Sequence, residues 1–249
     1  MFFDDHPEFL DTSSTAAIVG RLNLRHAAII GENRELFPGA RVLDIASHDG
    51  RWAFAALDAG AASVTGIEGR SYLVDNANRT FTKKGIDPSR FGFIAGDVHD
   101  VLTDGVGRFD VVMCLGFLYH TLRYPELFAG IRATRARSVI IDTRVHLSDE
   151  QVISVYTNPA EKESMAIRDR FSHRKRTLAG SPSMSALAHM LGTYGYDITH
   201  QVDWLPLLAA SESSNLAKKY RTGERVTVVA TRRQRKAKKD DGDTAPTSD

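Results

Sequence analysis

The stretch Arg41-Val-Leu-Asp-Ile-Ala-Ser-His-Asp-Gly50, followed by Arg51-Trp-Ala-Phe54, decides the fold. A short apolar run leads into a turn of small and polar residues, and an amphipathic stretch then continues to Ala59 and stops at Gly60. Bounded upstream by Pro38-Gly39, this pattern predicts a strand, a tight turn and a helix. The unit repeats downstream. Ala62–Glu68 predicts a second strand and Ser71–Lys84 a helix ending at Gly85, while Phe91–Ala95 and Phe109–Leu115 predict a third and fourth strand. Pro125 opens a helix through about Ala136, and Ser138–Asp142 is the fifth strand. Strands alternating with helices of this length predict an α/β fold built from βαβ units, its parallel sheet covered on both faces.

The flanks read differently. Residues 1–38 form a helical preface, with Asp11, Thr12, Ser13 and Ser14 as capping candidates and Ile18, Leu22, Leu24, Ile29 and Leu36 at roughly helical spacing. After Asp142 the repeat breaks into a polar insertion at 145–178, long enough to serve as a lid or binding surface. Ser181 then reads as the cap of a helix with Pro182 at its first position, running to about Leu191. Strands follow near Asp197–Val202 and Arg225–Thr231, separated by an excursion that carries Trp204 and Pro206. Residues 232–249 hold almost nothing apolar and predict a disordered tail. The expected organisation is a cap at 1–38, a main domain at 39–231 and that tail.

Composition narrows the function. Of 249 residues 42% are hydrophobic and 25% charged, enough for a real core. Lys plus Arg is 32 against 31 Asp plus Glu, so the net charge of +1 argues against a chain that grips nucleic acid or anionic membrane by bulk charge. A single cysteine, Cys114, excludes an intrachain disulfide framework and Cys-rich zinc sites. No apolar run approaches the ~18–20 residues of a membrane helix, and Met1–Pro7 lacks the basic and apolar regions of a signal peptide. A cytoplasmic protein is expected.

In an open parallel sheet, ligands sit at the carboxyl ends of the strands where strand order reverses. The turn there reads Asp-x-Ala-x-x-x-Gly, from Asp44 through Ala46 to Gly50, and lacks the glycine pattern that cradles a pyrophosphate. A leading carboxylate suits a cationic ligand, such as an ammonium or a sulfonium, better than a phosphate. Glu68 ends the second strand, where a carboxylate can accept from both hydroxyls of a ribose. Asp97 and Val98 follow the third strand, where Asp97 can take the amino group of adenine and Val98 can pack on its ring.

Together, Val42–Gly50, Val64–Glu68, Gly96-Asp97 and Phe109–His120 resemble the class I S-adenosylmethionine-dependent methyltransferases over roughly residues 40–142. The resemblance implies a Rossmann-like sheet of seven strands with the last antiparallel. It also implies roles by position: the loop of Asp44, Ala46 and Gly50 for the methionine part of S-adenosylmethionine, Glu68 for the ribose, Asp97 and Val98 for the adenine, and Leu115 and Gly116 beside the methionine moiety. The family usually has glycine where Ala46 stands, and often where His48 stands. His48–Phe54 and Phe117–Thr121 look like the subgroup that includes tRNA wobble-uridine carboxymethyl-transfer enzymes and various sugar and natural-product methyltransferases.

An alcohol acceptor benefits from a general base, and His120 follows the fourth strand near the point of transfer. A second arrangement, Asp142 and His146 with Glu163 from the insertion, could bind Mg²⁺ against a diol and assist catalysis. Tyr156, Arg168, Arg170 and the run Arg174-Lys175-Arg176 could meet a polar or anionic acceptor. These features lead to an O-methyltransferase acting on a small hydroxylated acceptor, a sugar or secondary metabolite. Two other readings stay open: a tRNA-modifying methyl or carboxymethyl transferase, and a catalytically silent partner subunit. A homodimer would follow if the N-terminal helices exposed an apolar face.

Overall fold

The computed structural model describes residues 1–10, 19–160, 167–210 and 217–234. Its main sheet contains β1 (Arg41–Ile45), β2 (Ser63–Glu68), β3 (Phe91–Ala95), β4 (Val111–Leu115), β5 (Ser138–Arg144), β8 (Tyr196–Gln201) and β9 (Arg225–Arg232), while β6 (Ile153–Pro159) and β7 (Arg176–Pro182) form a separate hairpin. The seven-stranded order is β3-β2-β1-β4-β5-β9-β8. Strands β3, β2, β1, β4 and β5 run parallel, and β9 lies antiparallel between β5 and β8. This is the Rossmann-like methyltransferase architecture expected from the sequence. Order reverses between β1 and β4, which opens the crevice where their carboxyl ends diverge.

The helices are α1 (Val19–Ile29), α2 (Arg51–Asp58), α3 (Ser71–Lys83), α4 (Val98–Asp104), α5 (Tyr124–Ala133), α6 (Met184–Thr193), α7 (Trp204–Ala209) and α8 (Lys218–Arg221). Side chains alternate across the sheet, because successive strand residues face opposite sides. On β4, Val111, Met113 and Leu115 join a core with Trp52, Phe54 and Phe81, whereas Val112 and Cys114 join another with Leu127, Phe128 and Leu187. Both faces are therefore buried, which is why the strand reads as the uninterrupted run Val-Val-Met-Cys-Leu. Burial also pushes the lone Cys114 thiol up to about 12, so it stays protonated.

In the N-terminal segment Phe3, Phe9, Leu22, Ile29 and Ile30 are buried in the first core. One helix cap expected from the sequence is corrected. Ser183, not Ser181, caps α6, accepting from the Ala186 amide, while Ser181 and Pro182 still belong to β7. The insertion is partly regular, since β6 and β7 pair over their whole length. Trp204 fills a small third core and stacks on Tyr220 at 3.5 Å between centroids. Arg232 closes β9 and Arg233 pairs with Asp197, while 235–249 of the expected tail lie outside the described residues. No helix among the described residues is long and apolar enough to cross a membrane.

Candidate active site

The turn after β1 is tied down on both sides. The Ser47 amide bonds the Ile67 carbonyl of β2, and the Gly50 amide bonds the Ser47 carbonyl. Ala46, His48 and Gly50 all take left-handed backbone, with φ of 55°, 54° and 82°. Glycine adopts this conformation without strain, whereas alanine and histidine do not. A side chain at Gly50 would also lie 2.8 Å from the Phe93 ring. Buried Asp49 braces the turn: Arg51 donates to its Oδ1 at 2.8 Å and its Oδ2 at 2.6 Å. That pair was not singled out from sequence, because an Asp-x-Arg spacing is common on surfaces.

Asp44 is fully buried with Oδ2 unpartnered, and Ser47 Oγ is likewise buried and unpartnered. Burial, followed by the nearby Asp49 and Glu68 charges, raises the Asp44 carboxyl well above the usual range, against a backbone hydrogen bond from Ala53. An unpaired buried acid at this point accommodates an ammonium or another donor well.

A cleft open to solvent lies beside the turn, lined by Ala46, Glu68, Gly69, Gly96, Asp97, Val98, His99, Phe117, His120, Thr121, Ile167, Asp169 and Thr177. Ala46, Glu68, Asp97, Val98 and His120 thus share one cavity, whereas Asp44, Gly50, Leu115 and Gly116 lie outside its lining. The Glu68 carboxylate accepts the His48 amide on Oε2 at 3.1 Å and the Arg70 amide on Oε1 at 3.0 Å. The Arg70 guanidinium also reaches Oε1, at 3.5 Å, so the free lone pair lies on Oε2 and a second hydroxyl would take the place of that long contact. Asp97 caps α4 and accepts the His99 amide at 2.7 Å, the His99 ring at 3.0 Å and Arg123 at 3.2 Å. Burial would raise its pKa, but the His99 hydrogen bonds and the Arg123 charge bring it down to about 2.

Sequence reading missed His99 and Arg123. The His99 ring links Asp97 to Thr121, with Nε2 at 3.3 Å from Thr121 Oγ1. Arg123 gathers Asp97, Asp100, Glu126 and Asp169. Asp169 and Ile167 bring the insertion over the cleft, and a side chain at Gly69 would lie 2.5 Å from Ile167, so a larger residue there would force the Ile167 side chain to shift. Arg170 pairs with Glu126 on the surface, while Arg168 and Arg174–Arg176 are exposed.

His120 is half-buried, and the Asn158 amide Nδ2 lies 3.1 Å from its Nδ1. Burial, then the Arg144, Arg225 and Arg70 charges, lowers its pKa to about 4, so the ring is neutral at pH 7. An amide N–H only donates, so this contact places the ring proton on Nε2. Turning the Asn158 amide would present Oδ1, move the proton to Nδ1 and leave Nε2 as an acceptor. Asn158 therefore governs which chemistry His120 can perform.

The expected metal centre is not assembled by these residues. Asp142 is fully buried and its carboxylate is already taken by Arg25, Arg225, Tyr220 and Thr227. Its low pKa follows from those guanidiniums outweighing burial. Two cations bound to one carboxylate leave no place for a third. His146 is exposed, Glu163 lies outside the described residues, and no group of three His, Cys, Asp or Glu side chains suited to a metal occurs among the described residues. The assignment of Asp142 as a catalytic or Mg²⁺-binding residue is thereby replaced by a structural one.

Comparison with known proteins bears on the fold. Residues 42–137 match the methyltransferase domain family. None of the curated proteins is significantly similar in sequence. Among solved structures, the N-terminal domain of EvdMO1 in the presence of SAH and D-fucose is 21% identical, with a TM-score of 0.56 over 85% of this chain and 82% of that one. The DhpI–SAH complex is 16% identical, with a TM-score of 0.59 over 93% and 95%. Magnesium protoporphyrin IX methyltransferase from Synechocystis PCC 6803 with bound SAH is 16% identical, with a TM-score of 0.54 over 86% and 84%. At these identities the structural likeness carries the fold. The chain thus has the Rossmann-like methyltransferase fold, and its residues 42–137 match the methyltransferase domain family.

Proposed function

We propose that the protein transfers a methyl group from S-adenosylmethionine to an oxygen of a small hydroxylated acceptor, a sugar or secondary metabolite. The observation that carries the cofactor reading is the pair of fixed acids, Asp44 with an unpartnered buried Oδ2 and Glu68 held by two backbone amides at the cleft wall. Asp44 and Ser47 would hold the methionine end, with Leu115 and Gly116 beside it. Glu68 would accept the ribose hydroxyls. Val98 and Phe117 would flank the adenine, with Asp97 accepting from its amino group. Bound there, the cofactor supplies a methyl group activated by its sulfonium.

The protein's own work is alignment and water exclusion. Ile167 and Asp169 would close the adenosine side of the cleft, with Ile167 packed against Gly69. His120, neutral at pH 7, would take the hydroxyl proton at Nε2 when Asn158 presents its carbonyl. The acceptor class draws support from the EvdMO1 domain, which was solved with D-fucose. The test is incubation with isotopically methyl-labelled S-adenosylmethionine and a panel of neutral and acidic monosaccharides and phenols. Label on an acceptor oxygen is expected; label on nitrogen or carbon would overturn the O-methylation reading.

A further inference from the structure

Four guanidiniums converge beside the transfer end of the cleft. Arg21 and Arg25 lie one helical turn apart on α1, and Arg144 at the end of β5 stands in direct register with Arg225 at the start of β9. Both placements are unfavourable for folding, since like charges four apart on a helix or opposite on paired strands repel. The ring of Tyr119 lies against two of them, with Arg144 at 4.6 Å and Arg225 at 5.4 Å. Among the described residues one carboxylate, Asp142, answers the cluster, and it bonds Arg25 and Arg225. Arg21 and Arg144 each keep a buried Nε–H without an acceptor. A buried donor left without an acceptor is unfavourable.

The cluster adjoins the proposed transfer point. A Cβ on Gly116 would lie 3.4 Å from an Arg225 nitrogen and 3.6 Å from the Tyr119 hydroxyl. The charges of Arg144 and Arg225 also reach His120. Arg21 feels burial first and then Arg25 and Arg225, which together depress its pKa. Against burial, Arg225, Arg144 and Arg25 draw the Tyr119 phenol below its usual range. Among the described residues, Asp142 offsets one of the four positive charges. The single carboxylate of the cofactor would offset one more, and the cofactor's own sulfonium and ammonium are cationic. A positive excess therefore remains for the acceptor.

We infer that Arg21, Arg144 and the Tyr119 hydroxyl form a subsite for an anionic group, a carboxylate or a phosphate, carried by the methyl acceptor. The inference rests on the methyltransferase reading and narrows its acceptor class to hydroxylated acids such as uronates or phosphorylated sugars. Guanidiniums suit both oxyanions through paired N–H donors.

The experiment titrates inorganic phosphate and acetate into the full chain, with and without saturating S-adenosylhomocysteine, at ionic strength held constant with chloride. The wild-type protein is compared with Arg144→Gln, Arg21→Gln and the charge-retaining Arg144→Lys, each first checked for a wild-type circular dichroism spectrum. Saturable binding of one anion to the S-adenosylhomocysteine complex is expected, weakened by about tenfold or more in both Gln variants, as loss of a charge-assisted hydrogen bond implies. Arg144→Lys should recover part of it. The preferred anion identifies the group as phosphate or carboxylate.

Anion binding that disappears when S-adenosylhomocysteine is bound, with Arg21→Gln and Arg144→Gln weakening S-adenosylhomocysteine itself, would assign the subsite to the cofactor's carboxylate and overturn the acceptor inference. Equal anion binding in all variants, or none in any, would overturn it too. Failure of S-adenosylhomocysteine to bind the wild-type protein strikes the cofactor reading instead, and the titration without it still reports on the arginines.

Discussion

Ala46→Gly offers a test of the cofactor turn in which a glycine should fail to weaken the fold. Ala46 holds φ at 55° in the turn after β1, a conformation that costs an L-residue roughly 1–2 kcal/mol. Glycine releases that strain but restores roughly 0.4–1 kcal/mol of freedom to the unfolded chain. The difference lies between about zero and 1.5 kcal/mol of net stabilisation, or up to a few degrees in Tm at roughly 2–4 °C per kcal/mol for a chain of this size. Ala56→Gly is the control, because Ala56 is buried inside α2 and should lose about 1 kcal/mol or more. Urea unfolding of both variants, with m-values compared, reads the difference. The Ala46 side chain also lines the cleft, so its removal should leave S-adenosylhomocysteine affinity equal or improved. If Ala46→Gly destabilises as much as Ala56→Gly, the turn is not strained and the argument for this backbone as the cofactor loop loses its physical basis.

Other substitutions probe the remaining parts of the site. Asp142→Asn should cost about 3–5 kcal/mol in chemical denaturation, as expected when a buried ion pair loses one partner; a loss below about 1 kcal/mol would return Asp142 to the list of ligand-binding residues. Because the folded-state pKa of Asp142 is depressed, its contribution is present above the ordinary carboxylate range and fades as pH falls through it. Asp44 has the opposite shift, so an ammonium bound beside it should expel its proton. S-adenosylhomocysteine affinity should then rise with pH through the free-state Asp44 pKa, and the apparent enthalpy should depend on the buffer's ionisation enthalpy; buffer-independent heats would remove the Asp44–ammonium contact. Asn158→Asp should hold a proton on His120 Nδ1 and raise the ring pKa from about 4. The acidic limb of the turnover profile should move upward with it, and an unmoved limb would exclude His120 as the base.

The central parallel strands were legible because they are buried on both faces, and β4 announces this as an unbroken apolar run. Glu68 and Asp97 were legible as cleft residues for a related reason: once strands are placed, their carboxyl ends are placed. The hairpin was hidden because β6 and β7 leave Val155 and Leu178 exposed and present no buried apolar run. Helix α4 is seven residues long, too short for its periodicity to stand out, and its cap Asp97 drew attention as a ligand first. Asp142 misled most. Its partners Arg25, Tyr220, Arg225 and Thr227 stand 117, 78, 83 and 85 residues away, so nothing local signalled that its charge was already spoken for. The arginine cluster escaped for the same reason, since α1, β5 and β9 meet only in the folded chain.

The most direct test of the central claim is a calorimetric titration of the full chain and Glu68→Ala with S-adenosylmethionine, S-adenosylhomocysteine and, as control, NAD. The account predicts saturable binding of both sulfur compounds at one site per chain, none of NAD, and a loss of about tenfold or more in Glu68→Ala from the two ribose hydrogen bonds. Unchanged affinity in Glu68→Ala would remove the ribose assignment. No binding of either sulfur compound to the wild-type protein would contradict the account and leave a methyltransferase fold that does not work as one.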